Sequence, residues 1–254
     1  MKAIWTGAIG FGLVNIPIKM YSATQESDLD LDLLDKKDHA HIKFKRVNEN
    51  TSKEVAWENI VKGYKYKNEY VILTDKDFEK ASPKKSKMIE ITNFILEEEV
   101  DSIYFEMPYY LEPEKSGEKA YHLLLEALNK SGKAALGSFV MRSKEHLCVL
   151  KPYDGILVLN RIRFAEEIRE TSEISVPKQT KLKPEELKMA LTLIDQLTTK
   201  FNIDKFKDTY SEELLKLVKA KAKGVEIKEP TLKVTHRKAT DLMSQLKASL
   251  KKAS

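Results

Sequence analysis

The chain has 254 residues, 42% hydrophobic and 33% charged, which is enough apolar material for the core of one extended domain or a domain with appendages. Lys and Arg outnumber Asp and Glu by 44 to 39, a net charge of +5; so small an excess marks a nucleic-acid binder only through its distribution. No stretch approaches the roughly 20 apolar residues of a membrane helix, and the first residues lack a secretory pattern. The one cysteine, Cys148, lies in an apolar run and permits no internal disulfide, so a soluble cytoplasmic protein with a buried structural thiol is expected.

In chain order, residues 2–21 predict β-structure, with Ile16, Ile18 and Met20 alternating with Pro17, Lys19 and Tyr21. Gly7, Gly10 and Gly12 suggest bulges or close backbone approach, as at barrel corners. Residues 26–35 carry five acids among Leu29, Leu31 and Leu33 and predict a strand with one wet face. Residues 36–67 then reverse the sign, with nine Lys or Arg against four Asp or Glu. Tyr70–Leu73 predicts a strand, and Thr74 is a candidate cap for the helical turn that follows. Ser82-Pro83 marks a lysine-rich loop, and Met88–Leu96 and Ile103–Leu111 predict further strands.

A helix is expected from about Ser116 to Ser131, with Tyr121, Leu124, Leu125 and Leu128 on one stripe and Gly132 as its stop. Phe139–Leu150 reads as a strand with Arg142 and Lys144 on one face. Ile156–Phe164 alternates Arg161 and Arg163 with Ile162 and Phe164. Beyond Val176-Pro177 the pattern turns helical: Pro184 opens a helix striped by Leu187, Ala190, Leu191 and Ile194, and Ser211 is a candidate cap for a second bearing Leu214, Leu217 and Val218. From Lys228 onward there are seven Lys or Arg and two acids, with Ala239, Leu242, Met243, Leu246 and Leu250 at the spacing of a short amphipathic helix.

Enzymatic signatures are missing. There is no phosphate-binding glycine loop, no G-x-S-x-G and no H-E-x-x-H. His39 and His41 would share a face if extended, but Asp35 and Asp38 are weak partners for a metal, so no metal, no cofactor and no catalysis are expected. A lysine-rich loop is ordinarily a solvated surface. Here the charge is blocked rather than mixed, basic pairs recur on strands, and the tail is basic. Such a strip gains affinity for duplex DNA by releasing counterions, without reading bases. Neither a recognition helix nor a stacking surface of aromatics stands out. The candidate DNA-binding residues are Lys36, Lys37, Lys43, Lys45, Arg46, Lys62, Lys84, Lys85 and Lys87, with Arg142, Lys144, Arg161 and Arg163 beside them.

The run from Ala3-Ile4-Trp5-Thr6-Gly7 through Phe11-Gly12-Leu13-Val14-Asn15-Ile16-Pro17 to Tyr21-Ser22-Ala23-Thr24 resembles the opening of the bacterial Ku family, homodimeric DNA-end-binding proteins of non-homologous end joining. Ile60-Val61-Lys62-Gly63-Tyr64, Tyr70–Asp75, Pro108–Pro113, Glu118–Tyr121, Arg142–Leu147 and the tail Asp241–Leu250 continue the likeness in order along nearly the whole chain. The resemblance implies an α+β, mainly β fold: a SPOC-like β-barrel over 1–176 with an inserted DNA-encircling bridge at about 24–95, a helical dimerisation arm over 177–226 and a basic tail over 227–254. It implies a ring of two chains threaded on a DNA end, associated with the nucleoid, and recruitment of DNA ligase D through the tail, where Leu242, Met243, Leu246 and Leu250 form the contact stripe. One departure is that the cysteine pair some members carry in the bridge is absent, Arg46-Val47 being followed by Asn48-Glu49-Asn50-Thr51. The tail also lacks a long lysine run. The competing readings are an architectural duplex binder without end preference, a nuclease and an interaction scaffold.

Overall fold

The computed structural model describes residues 1–81, 87–176, 182–225 and 242–253. The chain divides into two compact units, one of residues 1–26 with 32–170 and one of 27–31 with 171–254.

In the first unit, β1 (Trp5–Phe11), β2 (Val14–Ser22), β5 (Met88–Ile95), β6 (Phe105–Pro113), β7 (Ala134–Met141), β8 (Lys144–Tyr153) and β9 (Ile156–Ile162) close a barrel in the order β1-β2-β6-β9-β8-β7-β5. All neighbours are antiparallel except β1 and β5, whose parallel seam sets Ala8 opposite Met88 and Ile9 opposite Ile89. A parallel pair needs a crossover between its strands, and β2 with the long insertion after it supplies one. Gly7 sits at this seam: a Cβ there would stand 2.3 Å from the carbonyl oxygen of Lys87, so only glycine lets the strands meet. Gly12, at φ 59°, turns the β1–β2 hairpin.

The period-two reading of the first strands holds, since Ile16, Ile18 and Met20 are fully buried. They join Ile9, Ile89, Leu111, Phe139, Cys148, Leu150, Leu157 and Leu159 in one interior cluster. Helix α2 (Glu118–Ser131) adds Tyr121, Leu124, Leu125 and Leu128 to the same cluster and ends on Gly132 in the left-handed region. The Tyr121 hydroxyl donates to the Leu111 carbonyl and accepts from the Leu157 amide, both at 2.7 Å, which ties the helix to the ends of β6 and β9. Burial pushes this phenol above its ordinary pKa. Burial likewise pushes the Cys148 thiol far up, so it is held neutral inside the barrel.

Three readings need correction. Residues 26–35 form no strand; Leu34 makes only an isolated bridge to His41, because no neighbouring strand receives the leucine face. Phe139–Leu150 is a hairpin, not one strand: Arg142 and Ser143 form a two-residue turn with φ 53° and 64°. Arg142 therefore stands at a turn rather than on a strand face with Lys144. The turn lacks the Asn-Gly or Asp-Gly signature that such positive φ values favour, whereas Asp154-Gly155 between β8 and β9 has it. Third, Ser211 does not cap its helix. The Asp208 carboxylate accepts from the amides of Tyr210 and Ser211 and caps α4 (Thr209–Ala222).

Between β2 and β5 the chain carries an extended insertion. It contains a separate hairpin, β3 (Lys62–Tyr66) with β4 (Glu69–Leu73), and the short helix α1 (Asp75–Ala81). Thr74 stands just before α1, but its side chain does not cap as expected: its hydroxyl donates to Asp77 at 2.6 Å, its amide donates to the same carboxylate, and the helix amides of Asp77 and Phe78 bond its backbone carbonyl. Strand β5 lies within the expected 24–95 bridge but belongs to the barrel wall. The second unit holds α3 (Pro184–Leu197), α4 and α5 (Leu242–Ala253), with α5 lying against α3.

Candidate nucleic-acid interface

From Asp30 to Ile72 every residue except Val55 is exposed. A stretch of that length with no buried side chain gains almost nothing from the hydrophobic effect to offset its ordering entropy, about 1–2 kcal/mol per residue. Its conformation is held instead by local polar bonds and by cations resting on rings. The Arg46 guanidinium lies 4.9 Å above the Trp57 ring, and the Lys62 ammonium 4.7 Å from the Phe78 ring. Lys67 sits 5.6 Å from Tyr66. A cation over an aromatic face keeps its charge and its outward donors while losing freedom of the stem. Among the described residues no carboxylate pairs with Arg46 or Lys62, so both cations keep their charge on the open surface.

The other candidates are placed as follows. Lys36 and Lys37 are exposed on a tight turn where the Asp35 carboxylate accepts from the Lys37 amide at 2.7 Å. Lys43 and Lys87 are exposed. Lys45 pairs with Glu54 at 2.7 Å on the open surface, an ion pair worth little in water. Lys84 and Lys85 lie outside the described residues. Arg142 and Lys144 are exposed at the β7–β8 hairpin.

Arg161 and Arg163 are arranged differently. Arg161 Nε donates to Glu106 at 2.5 Å, and Arg163 lies 3.4 Å from the other oxygen of that carboxylate. Arg163 also donates to the carbonyls of Ile103 and Phe105. In the register, Arg161 stands opposite Cys148 and so shares the inward face, at the end of the barrel away from Tyr121. An irregularity in β6 between Phe105 and Pro108 brings Glu106 there. His146 shares this end, tilted against Phe139, and burial, then the charge of Arg161, push it below its ordinary pKa. These two arginines are committed to the barrel rather than free.

The sequence pattern alone did not reveal the aromatic supports. Trp57, Tyr64, Tyr66 and Tyr70 are all at least 60% exposed, contrary to the reading that no aromatic surface stands out. The signal was the interleaving itself, Lys62-Gly63-Tyr64-Lys65-Tyr66-Lys67, which a strand with no core beneath it leaves open on both faces. Among the described residues no three His, Cys, Asp or Glu come together as metal ligands, and no helix is long and apolar enough to cross a membrane.

A closed barrel with a long, exposed, cation-bearing insertion defines a binding scaffold whose chemistry is surface charge. Residues 10–189 match the family described as the Ku70/Ku80 beta-barrel domain, and the chain belongs to the Ku family. It is 41% identical over 98% of its length to the non-homologous end joining protein Ku of Bacillus subtilis, covering 82% of that protein. It is also 41% identical to that of Archaeoglobus fulgidus, with 98% of each chain covered, and 37% identical to that of Coxiella burnetii, covering 94% of it.

Proposed function

We propose that this chain binds the ends of double-stranded DNA without regard to sequence, as a ring-shaped homodimer threaded onto the duplex, and that it recruits DNA ligase D for double-strand-break repair by non-homologous end joining. It does so in the cytoplasm at the nucleoid, as a binding protein rather than an enzyme. The observation that carries the reading is the insertion of a Ku-family barrel: exposed, with a basic block over residues 36–67, and with Arg46 and Lys62 held on ring faces. Phosphate contacts made by such groups position a duplex and carry no base information. End preference then comes from topology, since a closed ring admits only a free end.

The helical unit supports a second copy as the ring partner. Leu187, Leu191, Ile194, Leu197, Phe201 and Phe206 are all at least half exposed, apolar side chains that a second copy would cover. The domain plan follows: barrel and bridge within 1–176, dimerisation arm in 177–226, tail in 227–254. The test is a competition at moderate salt between a labelled linear duplex and the same sequence as linear or closed circular DNA. Only the linear competitor should displace the probe. Equal displacement by the circle would mean an architectural, side-on duplex binder.

A further inference from the structure

Helix α3 carries two apolar faces. Leu187, Leu191 and Ile194 form one, 50% to 60% exposed. Met189, Ala190 and Leu193, with Glu186, form the other and are half-buried. The spacing within each set is that of a single stripe along a helix, so the two faces have different fates within one element. Helix α5 lies against α3 in the helical unit. In α5 the half-buried side chains are Met243, Leu246 and Leu250, at i, i+3 and i+7, while Ser244, Gln245, Lys247, Ala248 and Ser249 between them are exposed. The side chain of Leu242 is outside the described residues. The tail stripe expected to meet a partner protein is therefore the stripe that the helical unit already uses.

We infer that α5 is a displaceable cover docked on the Met189–Ala190–Leu193 face of α3, and that a partner binding the tail stripe must lift it off and expose that face. The inference rests on the reading that this stripe docks DNA ligase D. One set of apolar side chains cannot pack on two surfaces at once, so the ligase and α3 compete. The apparent affinity for the ligase is then its intrinsic affinity reduced by the fraction of chains whose tail is released. By the reciprocity of linked equilibria, anything that steadies α5 on α3 weakens ligase capture, and anything that loosens it strengthens capture. The short amphipathic helix would thereby combine two properties: a tail hidden in the free chain, and an α3 face that opens only when the tail is engaged. The exposed Leu187–Leu191–Ile194 face is not touched by this exchange and stays available to a second copy.

The test uses the full-length protein in four forms: wild type, Leu193→Glu, Leu246→Glu and the surface control Lys188→Glu. Hydrogen exchange without ligase reads the cover, and titration with purified ligase D reads the competition. Leu193→Glu is expected to speed amide exchange over 243–250 by about tenfold and to bind ligase D several-fold more tightly, because the tail stripe is intact and freed. Lys188→Glu should match wild type in both, and Leu246→Glu should free the tail yet lose the ligase. Linear-duplex binding by Leu193→Glu equal to wild type would show that the variant is folded. Unchanged exchange over 243–250 in Leu193→Glu would overturn the cover. Faster exchange with no gain in ligase affinity would overturn the competition. A wild-type chain and a Leu193→Glu chain that both ignore ligase D would overturn the recruitment reading and the displacement with it, leaving the exchange result to decide the cover alone.

Discussion

The barrel and the insertion between β2 and β5 are parts of one chain with opposite patterns of burial. The barrel places Ile9, Ile16, Ile18, Met20, Phe139, Leu157 and Leu159 in a single interior cluster and ties its helix down through both hydrogen bonds of the Tyr121 hydroxyl. From Asp30 to Ile72 the insertion buries no side chain at all, and its order comes from turns, ion pairs and cations on rings. Stability therefore resides in one region, and the proposed binding chemistry in the other. A scaffold that must meet DNA backbone can leave its cations in water, because counterion release and not desolvation provides the affinity.

This contrast can be broken most directly in the barrel core. Phe139→Ala should cost about 3–5 kcal/mol and lower the Tm by many degrees in a thermal scan, while Trp57→Ala, equally aromatic but 68% exposed, should leave the Tm within the scatter of surface substitutions. A matching loss in both would mean that the insertion is packed in solution. Tyr121→Phe is the next largest: it keeps the ring but leaves the buried Leu157 amide without an acceptor, a cost of about 1–3 kcal/mol readable as a shift of the urea midpoint with unchanged slope.

The remaining two effects sharpen the comparison from the other side. Replacing Lys36, Lys37 and Lys43 together by Ala should leave stability alone and flatten the plot of log affinity against log salt by about 2.7, at roughly 0.9 for each phosphate no longer neutralised; an unchanged slope would remove those lysines from the interface. The smallest effect concerns the cap of α4. Hydrogen bonds from the Ser211 side chain and amide hold the Asp208 carboxylate below its ordinary pKa. A depressed folded-state pKa contributes stability above the unfolded carboxylate pKa that is lost as pH falls through the folded one. Asp208→Asn, which can cap without charge, should therefore flatten the acid limb of helicity followed by circular dichroism; an identical limb would show that Asp208 is not the titrating group.

Much of the barrel was legible in local patterns. The alternation of Ile16, Ile18 and Met20, the stripe of Tyr121, Leu124, Leu125 and Leu128, and the Gly132 stop are short-range signals, and each marks what it was read to mark. The charge block at 36–67 was equally plain. What local pattern misreads are places where a distant strand decides the outcome. The leucines of 29–33 alternate like a strand, yet among the described residues no strand pairs with them. Arg142 and Ser143 look like strand residues, yet the register of β7 on β8 forces them into a turn.

By itself, the sequence determined which segments have apolar faces, where charge accumulates and, through its family likeness, the Ku fold, because these follow from residue type and spacing along the chain. Only the tertiary structure decided which cations are already engaged. It set Glu106 against Arg161 and Arg163, put rings under Arg46 and Lys62, and laid α5 against α3. Apart from Arg46 with Trp57 and Lys62 with Phe78, these pairings join residues far apart in the chain, and no periodicity can report which distant side chain arrives to meet a charge or cover a stripe.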